Sequence, residues 1–231
     1  MKTQATIRIA SLLAVLASLG VASAGAQAAS SYGNLAAPGV YFGAGNINGN
    51  WNIGSAGGIE LGLRVKERPS GNLLDGSTGT YFADAGTYAG GGVKARWNYE
   101  FSVNIGTLSY DGLTFKLGVD HDPSAATNYT YVNPQTYWFD NATVNVGANG
   151  SNGFQNSQNV GFGGTPGGAF NVGQNGLYSF SLEVFDAAGL MLDGTTMDVQ
   201  VGAPVPEPET YALMLAGLAA VGAVARRRAK K

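Results

Sequence analysis

The sequence predicts an all-β fold, an antiparallel two-sheet sandwich of jelly-roll or immunoglobulin-like type, flanked by an N-terminal signal helix and a C-terminal transmembrane helix. Three observations carry this. Several stretches alternate apolar and polar residues with the period of a half-buried strand. Pairs such as Asp111-Gly112 and Ala188-Gly189 punctuate them as turns. Glycine is frequent, 36 of 231 residues, which weakens helix interiors but suits tight turns between short strands. Several such strands at short spacing, without helix patterns, suggest a two-sheet sandwich, preferred to a closed barrel although little in the sequence separates the two.

The first element is an address. Lys2 and Arg8 form a charged leader region, and Ile9 to Val21 is an apolar run too short for a stable anchor. Small-x-small sites follow at Ala22-Ser23-Ala24, Ala24-Gly25-Ala26 and Ala26-Gln27-Ala28, so residues 1–28 read as a secretory signal peptide cut after Ala26 or Ala28.

Residues 29–203 form a glycine- and asparagine-rich sandwich body. In "GGIELGLRVKER", Ile59, Leu61, Leu63 and Val65 share one face, with Glu60, Arg64 and Lys66 opposite. In "KARWNYEFSVNI", the residues Ala95, Trp97, Tyr99, Phe101, Val103 and Ile105 face one way. Leu113, Phe115, Leu117 and Val119 repeat the pattern, as do Tyr178, Phe180, Leu182 and Val184, and finally Met197, Val199 and Val201. Asp75-Gly76 and Asp193-Gly194 complete the expected turns. The stretch from Ala142 to Asn175 differs, being rich in Gly, Asn and Gln with isolated Phe154, Phe162 and Phe170. It reads either as a long flexible loop or as short edge strands between turns.

Charge and composition exclude several functions. Of the 13 basic residues, seven lie at the chain ends, leaving the body six against 13 acidic residues, a balance of −7. Such a body is a poor partner for nucleic acid. With no cysteine there is no disulfide, thiolate metal site or cysteine nucleophile. The only histidine, His121, has no nucleophile elbow near it. Glu60, Glu100 and Glu183 fall on the polar faces of predicted strands, where solvated surface charge explains them, so the body reads as non-enzymatic. Asp120 and Asp122, at a strand end before Pro123, are the candidate metal ligands. Two carboxylates with loop carbonyls suit calcium, although their spacing matches no full calcium loop and Asp before Pro is ordinary turn chemistry. Among the aromatics in irregular surroundings, Trp51, Tyr137, Trp138 and Phe139, we single out Trp138 as a ligand-binding candidate. Its plane would stack on a sugar if exposed and would serve as core if buried. The sequons at Asn128, Asn141 and Asn149 are accidents of an asparagine-rich chain.

The last element, residues 204–231, is a second address. Tyr211 to Ala225 is an uncharged apolar stretch of 15 residues. As a helix it spans ~22 Å against a hydrocarbon core of ~30 Å, a mismatch that local thinning and snorkelling arginines accommodate. Its apolar residues cover most of the circumference and no residue supplies a polar face, which argues against an amphipathic surface helix. Arg226, Arg227, Arg228, Lys230 and Lys231 would stay cytoplasmic, leaving the body outside. Pro206 and Pro208 each lack an N–H and favour extended backbone, so Pro206-Glu207-Pro208 is separated from both helix and sheet.

Pro206-Glu207-Pro208, the short apolar helix and the basic cluster together resemble the PEP-CTERM sorting signal of Gram-negative bacteria. The resemblance implies recognition by an exosortase, a multipass membrane protease, with the tail removed near Pro206-Glu207-Pro208. It further implies the secretion machinery and, transiently, the inner membrane as partners, with a destination at the cell surface or in an exopolysaccharide or biofilm matrix. The body resembles other exported proteins of this kind through "VDHDP", "NPQTYWFDNAT" and "QNSQN", a likeness that carries no known activity. Two functions follow: a non-enzymatic surface or matrix protein, or a secreted carbohydrate-binding module or carbohydrate-active enzyme.

Overall fold

A computed structural model describes residues 31–36, 49–138, 142–143, 152–203, 217–218, 221 and 226. The signal segment 1–28 and most of the tail, including Pro206, Glu207, Pro208, Arg227, Arg228, Lys230 and Lys231, lie outside the described residues. Gly217, Leu218, Val221 and Arg226 are helical and exposed. Among the described residues no helix is long and apolar enough to cross a membrane.

The alternating stretches form strands arranged in two sheets. In chain order the strands are β1 (Ser31–Gly33), β2 (Trp51–Ala56), β3 (Ile59–Glu67), β4 (Thr80–Ala83), β5 (Trp97–Gly106), β6 (Thr114–Asp120) and β7 (Tyr129–Val132). A four-residue helix α1 (Pro134–Tyr137) follows, then β8 (Ala142–Thr143), β9 (Asn152–Asn159), β10 (Gly176–Phe185) and β11 (Met191–Val201). The first sheet has the order β1-β2-β3-β5-β9-β8 and the second β4-β11-β10-β6-β7. Every pairing is antiparallel except β4 with β11, where Thr80 to Ala83 run parallel to Asp198 to Val201.

The two inner faces meet in one core. Val65, Tyr99 and Phe101 from the first sheet pack with Phe115, Leu117, Phe180, Leu182 and Val199 from the second. Ring contacts join the sheets directly: Tyr99 to Phe180 at 4.9 Å and Phe115 edge-on to Phe154 at 5.4 Å. Each such pair adds about 0.5–1.5 kcal/mol beyond the area it buries. Two glycines are required by close approach. A Cβ on Gly76 would lie 2.1 Å from the Tyr81 ring, and one on Gly54 would lie 2.5 Å from the Gly194 carbonyl of β11. At Gly54, strands β2 and β11 of the two sheets come into close contact.

Three expectations are corrected. The outer face of β3 and β5 is not solvated: Arg64 and Glu100 are buried on it, and Leu35, Trp51 and Ile53 form a second apolar cluster there. Alternation assigns residues to a face but cannot say whether that face is covered. Asp193-Gly194 is not a turn but lies inside β11, opposite Val184 and Glu183 of β10. Of the two readings of the Gln- and Asn-rich stretch, the strand is borne out and the loop is corrected at Asn152–Asn159. This segment forms β9, hydrogen-bonded along β5.

Candidate functional site

The sequence candidates in the body resolve into structural roles. Asp120 ends β6, and its Oδ1 accepts the Asp122 backbone N–H at 2.9 Å. Asp122 Oδ1 then accepts from the Ser124 N–H at 2.9 Å, and Ser124 Oγ from the Ala126 N–H at 3.2 Å. These three successive turns carry the chain away from the sheet. Asp120 is only 1% exposed, and its Oδ2 has no hydrogen-bond partner. Among the described residues, no group of three or more His, Asp or Glu side chains is placed to hold a metal ion.

His121 is fixed by packing and one hydrogen bond. Its ring lies 4.3 Å from that of Phe170, and its Nε2 donates to the Pro166 carbonyl. A carbonyl only accepts, so Nε2 carries the proton.

Trp138 is 9% exposed, with its ring 5.4 Å from Phe101 and 4.7 Å from Tyr137. It is part of the core and presents no open plane to a sugar. The α1 turn places it there: Asn133 Oδ1 caps Gln135 at 2.9 Å, Pro134 occupies the first turn, and Trp138 follows directly. Trp51 is buried as well, under the Arg64 guanidinium at 4.0 Å. Among the described residues the exposed aromatics lie elsewhere, at Phe82 (67% exposed), Tyr131 (47%), Tyr137 (44%) and Phe162 (39%).

The carboxylates divide in the same way. Glu100 is fully buried, with Arg64 Nε donating to its Oε2 at 2.5 Å and the Lys66 ammonium against its Oε1. It is a structural ion cluster on the outer face of the first sheet, not a surface charge. Glu183 accepts from the Tyr131 hydroxyl at 3.4 Å. The sequence reads Asp193 only as part of an Asp193-Gly194 turn, so its burial within β11 is not foreseen. Burial pushes its carboxyl up to about 6, opposed by the Gly194 and Ala56 N–H groups that bind it.

The remaining candidate is the C-terminal segment. The last strand, β11, ends at Val201, and the described part of the body stops at Ala203. In the sequence, Pro206-Glu207-Pro208 follows a few residues after the end of β11. No curated protein matches the chain. A family model for the PEP-CTERM protein-sorting motif does match, over residues 204–228. The boundary of that match falls directly after the body and takes in Pro206, Glu207, Pro208, the apolar stretch and Arg226 to Arg228. The chain thus carries a PEP-CTERM sorting motif at its C-terminus, the mark of an exported protein sorted by an exosortase.

Proposed function

We propose that this chain is a non-enzymatic surface or matrix protein, delivered by the secretion machinery and held briefly in the inner membrane by the helix 211–225. An exosortase then cuts it near Pro206-Glu207-Pro208. The body acts outside the cell in association with exopolysaccharide or a biofilm matrix. The observation that carries the reading is the sorting motif at 204–228, abutting a sandwich whose last strand ends at Val201. A folded body, a short proline-flanked segment and an apolar stretch followed by five basic residues suit a detachable anchor. The body has its own core, built from described residues between Ile59 and Val201.

The test is a variant with Pro206, Glu207 and Pro208 all changed to alanine, expressed in the host. The expected result is full-length protein accumulating in the inner membrane. A variant processed and released like the wild type would defeat the reading. A second reading, a carbohydrate-binding module, is favoured by the exposed rings of Tyr131 and Phe162. Measured sugar binding by the released body, with no hydrolysis of the sugar, would select it.

A further inference from the structure

Six basic residues lie in the body, and four of them are engaged. Arg64 and Lys66 hold Glu100, Arg96 pairs with Asp84 at 3.3 Å, and Lys116 lies over the Phe185 ring at 4.4 Å. The other two, Arg68 and Lys94, form no ion pair among the described residues, yet they converge on one cleft. Arg68 follows β3, its N–H bonded to the Arg96 carbonyl at 2.6 Å, and Lys94 closes a turn onto the Gly91 carbonyl at 3.1 Å. Between them lie Tyr88, Asn98, Asn159 and Phe162, around a shallow cavity of about 100 Å³.

Each cation stands beside a ring: Arg68 Cζ is 5.9 Å from the centroid of Tyr88, and Lys94 Nζ is 5.8 Å from that of Phe162. Among the described residues no carboxylate lines the cleft. Its floor is rigid. Asn159 accepts from the Ala95 and Gly161 N–H groups at 2.7 and 3.0 Å, and donates to the Ala95 and Trp97 carbonyls and to Asn98 Oδ1.

Two uncompensated positive charges in one cleft of a body with a −7 balance make a local anion trap. A bare inorganic ion would meet the two cations but make no use of the apolar surface of Tyr88 and Phe162 beside them. A pyranose presents polarised C–H groups that stack on such surfaces, and a carboxylate on the same ring meets the guanidinium and the ammonium. We propose that this cleft binds a carboxylate-bearing sugar residue, a uronate, within an acidic polysaccharide. Arg68 and Lys94 hold the carboxylate, and Tyr88 and Phe162 flank the ring. The inference rests on the exopolysaccharide reading above and gives it a site and a ligand class.

The experiment uses the protein purified from its host in calorimetric titrations against a hexagalacturonate, a neutral glucan hexamer and sodium sulfate. The hexagalacturonate is expected to bind at least roughly tenfold more tightly than either control, and less tightly as salt rises. An Arg68→Gln/Lys94→Gln double variant with unchanged melting is expected to lose that preference. Phe162→Ala is expected to weaken the hexagalacturonate several-fold and leave sulfate unaffected. Equal binding of the neutral hexamer, or of sulfate, overturns the uronate assignment. Host polysaccharide bound equally by wild type and double variant rejects this cleft while leaving the exopolysaccharide reading in place. Wild-type protein that binds neither host polysaccharide nor hexagalacturonate defeats both.

Discussion

Asn159 is the side chain whose loss should be felt furthest. Its carboxamide oxygen takes two backbone N–H groups, Ala95 at 2.7 Å and Gly161 at 3.0 Å. Its nitrogen reaches the Ala95 carbonyl at 2.9 Å, the Trp97 carbonyl at 3.2 Å and Asn98 Oδ1 at 2.7 Å. One amide thereby ties the end of β9 to the entry of β5 and to the turn after β9. Asn159→Ala leaves two buried N–H groups without their acceptor. At about 1–3 kcal/mol for each unsatisfied group, with water from the adjacent cleft recovering part, a loss of about 3 kcal/mol follows. Asn159→Asp keeps the acceptor but turns a second oxygen toward three acceptors and buries a charge, so at pH 7.5 it should cost more than alanine. Burial and those oxygens raise the new carboxyl above its unfolded value. The folded state then binds the proton more tightly, and the aspartate variant must regain stability as pH falls toward about 4. Urea unfolding followed by tryptophan emission measures both variants, because Trp97 is buried beside the site. An alanine variant within about 0.5 kcal/mol of wild type, or an aspartate variant more stable than alanine at pH 7.5, would refute the reasoning.

Three further outcomes are expected. Asp193 carries a carboxyl raised to about 6 by burial, above the value near ~4 of an unfolded chain, so its contribution to stability is lost as pH rises through that window. The loss is about 2–3 kcal/mol, and Asp193→Asn should abolish this slope in urea midpoints taken from pH 4 to 8. Glu100→Gln leaves the buried Arg64 without its counter-charge and should cost about 3–5 kcal/mol by the same assay; a cost below 1 would mean the cluster is dispensable. Calcium and a chelator should leave the melting temperature unchanged, since Asp120 and Asp122 are committed to turns; a rise with calcium would restore the metal site.

The strands were readable wherever one face is greasy and the other polar. The inward residues of β3, β5, β6 and β10 follow the period of two, and Trp97 is in the core as expected. What period cannot carry is pairing at a distance. Tyr81 to Ala83 lie beside Val199 to Val201 in parallel, more than a hundred residues later, and nothing local announces it. Nor can it see a covered outer face, so Glu100 looked like surface charge. In β9 the amides of Gln155 and Asn159 resemble loop residues in composition. Yet Gln155 bonds Ser102 at 2.9 Å and Asn159 satisfies five partners, which is strand chemistry paid for by hydrogen bonds rather than apolar area. Arg68, Lys94 and Phe162 are spread over almost a hundred residues and meet only after folding, so their cleft has no linear signature. The sorting motif is the opposite case. Its parts are contiguous, and its recognition needs no tertiary structure, so it was legible in full.

The central claim is that the C-terminal segment is a removable address. It is tested most directly by the intact mass of the native protein recovered from cell fractions, with and without the host's exosortase. The account predicts a mass lacking both residues 1–28 and the segment beyond Pro206-Glu207-Pro208, found outside the inner membrane only when the exosortase is present. A full-length C-terminus in the released protein, or release that continues without the exosortase, would contradict it.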